Sequence, residues 1–203
     1  MADLDALGDI KNLIATGSAE DLKQLLGLLD PAQLKAVLEQ LDAADFPVLL
    51  EKVDSSVLEA LAEQISTPGE LRQLLSLSGG NDSIIEQFVA KAGTDQMLDR
   101  VFSLFGSRFL PERAGGDTGI VEWHIKTLDG EKVYHLTISD GTAVGARGPA
   151  EKPRTTLTMS APDLLRLCSG TLDGVTAFMN NKIKLAGDMM FGAKLPVAFD
   201  TAA

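Results

Sequence analysis

The side chains with the most chemical potential are few: His124, His135, Cys168 and carboxylates such as Glu122 and Glu131. The two histidines fall on polar positions of neighbouring alternating segments, where they could approach each other. A zinc site needs further Cys or His ligands, and no cysteine or third histidine joins the pair. No Gly-x-Ser-x-Gly elbow exists, and no Walker or dinucleotide glycine pattern follows a strand and opens a helix. Residues 141–148 are rich in glycine, but their neighbours read as a hairpin. Glu122 and Glu131 sit at exposed strand or turn positions. Cys168 reads as inert core; as the single cysteine it can form no intrachain disulfide, which fits a reducing compartment. The expectation is a protein that is not an enzyme, with no metal and no cofactor.

Other elements must then carry the function, and charge divides them. The formal charge of −11 is uneven. Residues 1–92 hold sixteen Asp and Glu against six Lys and Arg, a net −10; residues 93–203 hold thirteen against twelve, a net −1. An N-terminal half this acidic is repelled by phosphate backbones and anionic headgroups, so no nucleic-acid partner is expected. At 203 residues and 45% hydrophobic, the chain has material for one or two cores. Its start, Met-Ala-Asp-Leu-Asp, lacks the regions of a secretory signal, and no apolar run approaches the roughly 18 residues of a membrane span. A soluble, cytoplasmic protein is expected.

From Ser18 onward apolar positions recur with a period of twelve. Leu22, Leu25, Leu26 and Leu29 form one block; Leu34, Val37, Leu38 and Leu41 the next; then Phe46, Leu49, Leu50 and Val53; then Leu58, Leu61, Ala62 and Ile65; and finally Leu71, Leu74 and Leu75. The i, i+3, i+4, i+7 spacing puts each block on one face of a helix of about two turns. Asp30-Pro31 and Thr67-Pro68 place a capping oxygen before a proline at the first helical position, and Thr67 with Glu70 completes a capping box. Ser18 with Asp21 repeats the pattern, and Asp42 and Asp54 mark the other boundaries. Helices this short are marginal alone and must stack, as repeated units do in a solenoid.

Residues 78–83, Ser-Gly-Gly-Asn-Asp-Ser, form the clearest turn cluster. Two helices follow, the second ended by Pro111. The period then falls to two. Val121, Trp123 and Ile125 share one face, as do Tyr134, Leu136 and Ile138 after the 128–131 turn. Residues 142–147 make a third strand; Thr155, Leu157 and Met159 mark a fourth. Ser160 caps a helix carrying Leu164, Leu165 and Leu167. A short helix to Met179, a strand at 183–186 and a helix from Asp188 to Leu195 complete the chain.

Residues 155–195 resemble the sterol carrier protein-2 family. Thr155-Thr156-Leu157-Thr158-Met159-Ser160-Ala161-Pro162-Asp163-Leu164-Leu165-Arg166-Leu167 is similar to the family's strand and the helix that opens with Ser-x-x-Asp-Leu-Leu. Ser169-Gly170-Thr171-Leu172-Asp173, Ala177-Phe178-Met179, Lys182-Ile183-Lys184-Leu185, Gly187-Asp188-Met189 and Lys194-Leu195 follow in the family's order. The likeness extends in outline over 94–199. It departs at Asn181, where the family commonly has Gly, at Gly174, where Pro is frequent, and at Thr171, in place of Lys. Asn tolerates a left-handed backbone, so Asn181 is compatible with the turn. Ala193-Lys194-Leu195 is internal, not a terminal peroxisomal address.

The resemblance implies a five-stranded sheet and covering helices around an apolar tunnel for sterols, fatty acids or acyl-coenzyme A. The fold class expected is α+β: a C-terminal five-stranded, mainly antiparallel sheet covered by helices, preceded by an all-α region of short repeated helices. The expected segments are a helical repeat region at 1–77, a linker and connecting helix at 78–93, and a lipid-binding domain at 94–203. Tunnel residues expected to bind the ligand are Trp123, Ile125, Leu136, Leu164, Leu167, Phe178, Met179, Leu185, Met189, Met190 and Leu195. Methionines suit a wall that adapts to flexible ligands. The partner expected is an apolar small molecule, a lipid or sterol, bound or transferred without catalysis, with a protein partner or self-association through the N-terminal helices. The alternative is a noncatalytic scaffold whose acidic array recruits a lipid-, sterol- or quinone-metabolising enzyme.

Overall fold

The computed structural model describes residues 3–200. The outermost ends of the expected segments, residues 1–2 and 201–203, lie outside the described residues. Helices come first: α1 (Asp3–Thr16), α2 (Ala19–Gly27), α3 (Pro31–Gln40), α4 (Asp45–Lys52), α5 (Ser55–Glu63), α6 (Pro68–Ser76), α7 (Asp82–Lys91), α8 (Thr94–Ser107) and α9 (Pro111–Ala114). Then follow β1 (Gly119–Thr127), β2 (Gly130–Ser139), β3 (Thr142–Arg147), β4 (Thr155–Ser160), α10 (Ala161–Cys168), α11 (Gly174–Met179), β5 (Lys184–Gly187) and α12 (Met189–Lys194), with a 3-10 turn at Leu195–Val197. Helix α1 precedes the periodic blocks and buries Ile10 and Ile14 against them.

The short helices start where capping chemistry dictates. Ser18 Oγ accepts from Asp21 N at 3.1 Å, Asp30 Oδ1 from Gln33 N at 2.8 Å, and Thr67 Oγ1 from Glu70 N at 3.1 Å. Each bond satisfies an amide that the helix leaves unpaired. The blocks then bury their apolar faces, Leu22 and Leu26 on α2, Phe46, Leu49 and Leu50 on α4, Leu58 and Leu61 on α5, Leu71 and Leu74 on α6. Packing runs to helices two and three places along, α1 and α2 on α4, α3 on α5, and α4 and α5 on α7. Burial of these faces, more than intrinsic propensity, holds helices of this length.

The sheet has the order β3-β2-β1-β4-β5. Pairs β1·β2, β2·β3 and β4·β5 are antiparallel, but β1·β4 is parallel, with Trp123 beside Leu157. This corrects the expected mainly antiparallel sheet to a mixed one. The cause is the loop after β3. Gly148 N donates to Val133 O at 2.8 Å, Ala150 N to Glu122 Oε2 at 2.8 Å and Arg154 N to Ile120 O at 2.8 Å. The chain therefore crosses β2 and β1 before entering beside β1, which supplies the crossover that a parallel pair needs.

Helix α8 lies across β3 at close range. A Cβ on Gly145 would come within 2.8 Å of Phe102 O, so this approach requires glycine. Asp99 fixes the crossing, accepting from Tyr134 Oη at 2.8 Å and Arg147 Nε at 2.5 Å. The Arg147 guanidinium holds the Asp99 carboxyl below the usual carboxylate range. Farther along, Asn181 adopts φ 57° in the turn before β5, a left-handed conformation that asparagine tolerates.

The α5–α6 turn is organised by one carboxylate. Glu70 accepts from Ser66 N at 2.9 Å, Ser66 Oγ at 3.0 Å, Thr67 N at 3.1 Å and Lys35 Nζ at 2.5 Å. Burial acts to raise its pKa, but Lys35 and the Ser66 donors outweigh it and hold the carboxyl at about 2, against 4.5 ordinarily. A depressed folded pKa contributes stability above the unfolded value that is lost as pH falls through the folded one. Glu70→Gln should therefore cost about 1–3 kcal/mol near neutrality, and the difference from wild type should shrink as pH falls from 4.5 toward 2. Urea unfolding across that range checks this; a pH-independent difference would contradict it.

Candidate functional site

A cavity of about 370 Å³ lies between the inner face of the sheet and the elements that cover it. Its floor is Trp123 on β1, Leu157 and Met159 on β4 and Leu185 on β5. Met97, Val101 and Phe105 of α8 form one flank, and Leu167, Leu172, Phe178, Met189 and Leu195 form the other. Such a volume falls in the range of roughly 300–1,000 Å³ common for small-molecule sites. Exposure grades along the wall. Ile65 and Leu71 are buried, whereas Val175, Phe178 and Met189 are exposed by 62%, 41% and 48%. The cavity thus opens at α11 and α12 and closes toward the N-terminal helices.

Six of the expected tunnel residues meet here: Trp123, Leu167, Phe178, Leu185, Met189 and Leu195. Five do not, for two physical reasons. Ile125, Leu136 and Leu164 are fully buried core, outside the cavity lining. Helix α10 packs on β1, the strand that carries Ile125, and Leu136 pairs with Gly145, where α8 comes close to the sheet. Leu164 belongs to the buried face of α10 itself. Met179 and Met190 are 74% and 72% exposed instead. Each follows a lining residue, Phe178 or Met189, and one helical step of about 100° turns it outward.

The structure also adds wall residues that were not among those expected to line the tunnel. Ile65, Pro68 and Leu71 of the α5–α6 turn line the cavity, so the N-terminal array is part of the site. Two cavity-lining arginines of α8 and its C-terminus hold that turn in place. Arg100 Nε donates to Ile65 O at 3.0 Å and Arg108 Nη2 to Ser66 O at 2.9 Å. On the same side of the molecule, Arg72 Nη2 donates to Ser169 O at 2.8 Å, tying α6 to the end of α10. The sequence signals here were the apolar period that put Ile65 and Leu71 on helix faces and the Thr67–Glu70 capping box, and neither says what lies opposite.

Arg100, Arg108, Cys168, Asp173 and Asp200 are the titratable side chains of the cavity wall, and the histidines lie elsewhere. Cys168 lines the cavity, and burial pushes its thiol up to about 12, so it stays protonated near neutral pH. Asp173 also lines it, but its carboxylate caps α11 by accepting from Thr176 N at 2.8 Å. The histidines are on the outer face of the sheet. His124 contacts Glu131 at 2.8 Å and Glu122 at 2.9 Å, which raise its pKa, and His135 Nδ1 is 2.9 Å from Gly148 O. Among the described residues no group of three or more His, Cys, Asp or Glu side chains is placed to hold a metal ion. No described helix is long and apolar enough to cross a membrane.

Comparison with known proteins bears on the same region. The model of the SCP-2 sterol transfer family matches residues 110–200. No curated protein matches the chain significantly. Among solved structures, palmitated SCP2L2 from Aedes aegypti is 27% identical over 43% of this chain and 84% of its own, with a TM-score of 0.37. The crystal structure of SCP2-L2 from the same organism is 21% identical over 54% of this chain and 99% of its own, with a TM-score of 0.40. The inverting sec-alkylsulfatase Pisa1 from Pseudomonas sp. is 16% identical over 98% of this chain, with a TM-score of 0.46, and this chain spans 30% of its length. Residues 110–200, in the C-terminal half of this chain, match the SCP-2 sterol transfer family model and follow an array of short helices.

Proposed function

We propose that this protein binds or transfers an apolar ligand, a sterol, fatty acid, acyl-coenzyme A or similar lipid, without catalysing a reaction on it. The observation that carries this reading is the cavity of about 370 Å³ between the sheet and helices, with a wall of Leu, Ile, Val, Phe and Met side chains. A scaffold that had given up ligand binding would gain stability by filling that space, because voids forfeit packing contacts. The protonated Cys168 thiol and the outward-facing histidines favour the noncatalytic reading. A cytoplasmic, reducing setting suits a single thiol beside a bound lipid.

The helical array belongs to the binding site in this reading. Ile65, Pro68 and Leu71 form its closed end, held by the Glu70, Arg100 and Arg108 bonds. That end sets how much of an alkyl chain the cavity accepts, while the ligand enters between α11 and α12.

Two measurements test these claims. Freshly purified protein examined by native mass spectrometry should carry a lipid. Met189→Gln should then weaken binding of a fluorescent fatty acid by about threefold to tenfold with little change in unfolding midpoint, since an amide at the open rim stays hydrated. Met190→Gln, on the outward face, should leave both unchanged. No probe binding by wild type, or equal effects at the two positions, would count against the cavity as the site. Leu71→Ala deepens the closed end, so the affinity ratio of longer to shorter saturated fatty acids should rise by about fourfold per methylene accommodated. An unchanged ratio would remove the array from the site.

A further inference from the structure

Exposed apolar side chains are concentrated at one place on the surface. Of the nine large hydrophobic side chains most exposed among the described residues, six belong to α11, α12 and the 3-10 turn: Val175, Phe178, Met179, Met189, Met190 and Val197. Val175, Phe178 and Met189 form the mouth of the cavity. Met179, Met190 and Val197 each follow a lining residue, Phe178, Met189 or Pro196, and carry the apolar rim outward. The other three, Leu28, Leu128 and Val144, lie on α2, in the β1–β2 turn and on β3. Single exposed hydrophobics are ordinary, but a cluster of them around an opening marks a surface that meets something else. Charge distinguishes this end as well. Residues 174–199 carry three lysines against one aspartate, a net +2, where residues 1–92 carry −10. Lys182 and Lys194 are ion-paired, at 2.8 Å with Asp163 and 2.7 Å with Asp117, whereas Lys184 on β5 is exposed with no ion pair to a described residue. The cavity closes toward the acidic array and opens at this apolar, mildly cationic rim.

We propose that the rim formed by α11, α12 and the 3-10 turn docks on a phospholipid bilayer, with Met179, Met190 and Val197 entering the interface and the lysines meeting headgroup phosphates. This rests on the cavity being the ligand site, and it adds where the ligand is picked up and left. The opening lies within the patch, and that favours a bilayer over a protein partner. A second copy or another folded protein seated on the rim stops the mouth, whereas a bilayer presents to it the phase in which an apolar ligand dissolves. Direct contact also spares the ligand a passage through water, whose cost grows with every methylene exposed. The charge pattern sets the orientation: the acidic array is repelled by anionic headgroups, so the rim is the end that approaches.

The double variant Met179→Gln/Met190→Gln tests this, because neither side chain lines the cavity and substitutions at such exposed positions cost little stability. Wild type should float with phosphatidylcholine vesicles containing about a fifth phosphatidylserine, and the double variant should bind them about fivefold to tenfold more weakly. Its affinity for a fluorescent fatty acid delivered from cyclodextrin, with no vesicles present, should equal that of wild type. Leu28→Gln, at a comparably exposed apolar position on the array, should change neither. Equal vesicle binding by wild type and the double variant, or an equal loss with Leu28→Gln, overturns the proposal and leaves the cavity reading intact. A wild-type dimer in sedimentation velocity that the double variant abolishes, without vesicle binding, also overturns it and assigns the rim to a second copy. Vesicle binding that the double variant loses, with no probe binding from cyclodextrin, overturns the cavity as the ligand site and leaves the rim as a membrane contact.

Discussion

Val121, Trp123, Ile125, Leu136, Leu157 and Met159 share the inner face of one sheet, and burying that face is the interaction on which the other elements depend. Helix α8 covers the β3 side and α10 the centre, each in close contact. Helix α12 packs on β4 and β5, and the cavity is the space left over Trp123, Leu157, Met159 and Leu185 between these covers. It persists because the covering pieces are pinned by polar bonds elsewhere. Asp99 holds α8 to β2 and β3, while Arg154 Nε donates to Asp188 Oδ2 at 2.8 Å, at the start of α12. Pieces anchored at their edges cannot collapse freely onto the floor.

The N-terminal helices enter this arrangement as structural members. Their own stability comes from stacking apolar stripes, since each is too short to persist alone. The last of them, α6, begins at a turn whose Glu70 carboxylate gathers the amides of Ser66 and Thr67 and the Lys35 ammonium. Arg100 and Arg108 take the carbonyls of the same turn. Donors and acceptors of one short loop are thus satisfied from both sides, which fixes the side chains of Ile65, Pro68 and Leu71 where the cavity ends.

Much of this was legible in the residues, and the failures share a cause. Alternation at Val121, Trp123 and Ile125 correctly gave the inner face, and Ser18, Asp30 and Thr67 correctly gave helix starts. Asn181 takes the left-handed backbone that asparagine tolerates, at a position where the resembled family commonly has Gly. Periodicity assigns a side chain to a face, however, and cannot say whether another helix seals that part of it. Trp123 and Ile125 are therefore indistinguishable by pattern, though only Trp123 reaches the cavity. A composition rich in methionine likewise could not separate Met189 from Met190, which differ by one helical step. The parallel β1·β4 pair and the Ile65–Leu71 wall depend on contacts between residues far apart in sequence, for which local pattern holds no signal.

The central claim is that an apolar ligand lies between the sheet, α8, α10 to α12 and the α5–α6 turn. A long-chain fatty acid bearing a diazirine near its methyl end, photolysed on the intact protein and mapped by mass spectrometry, tests it most directly. The account predicts adducts on peptides carrying cavity residues such as Leu71, Trp123 and Leu185, suppressed by excess unlabelled fatty acid. Adducts confined to exposed apolar residues outside the cavity, such as Leu28 or Met190, or labelling that unlabelled fatty acid does not suppress, would contradict it.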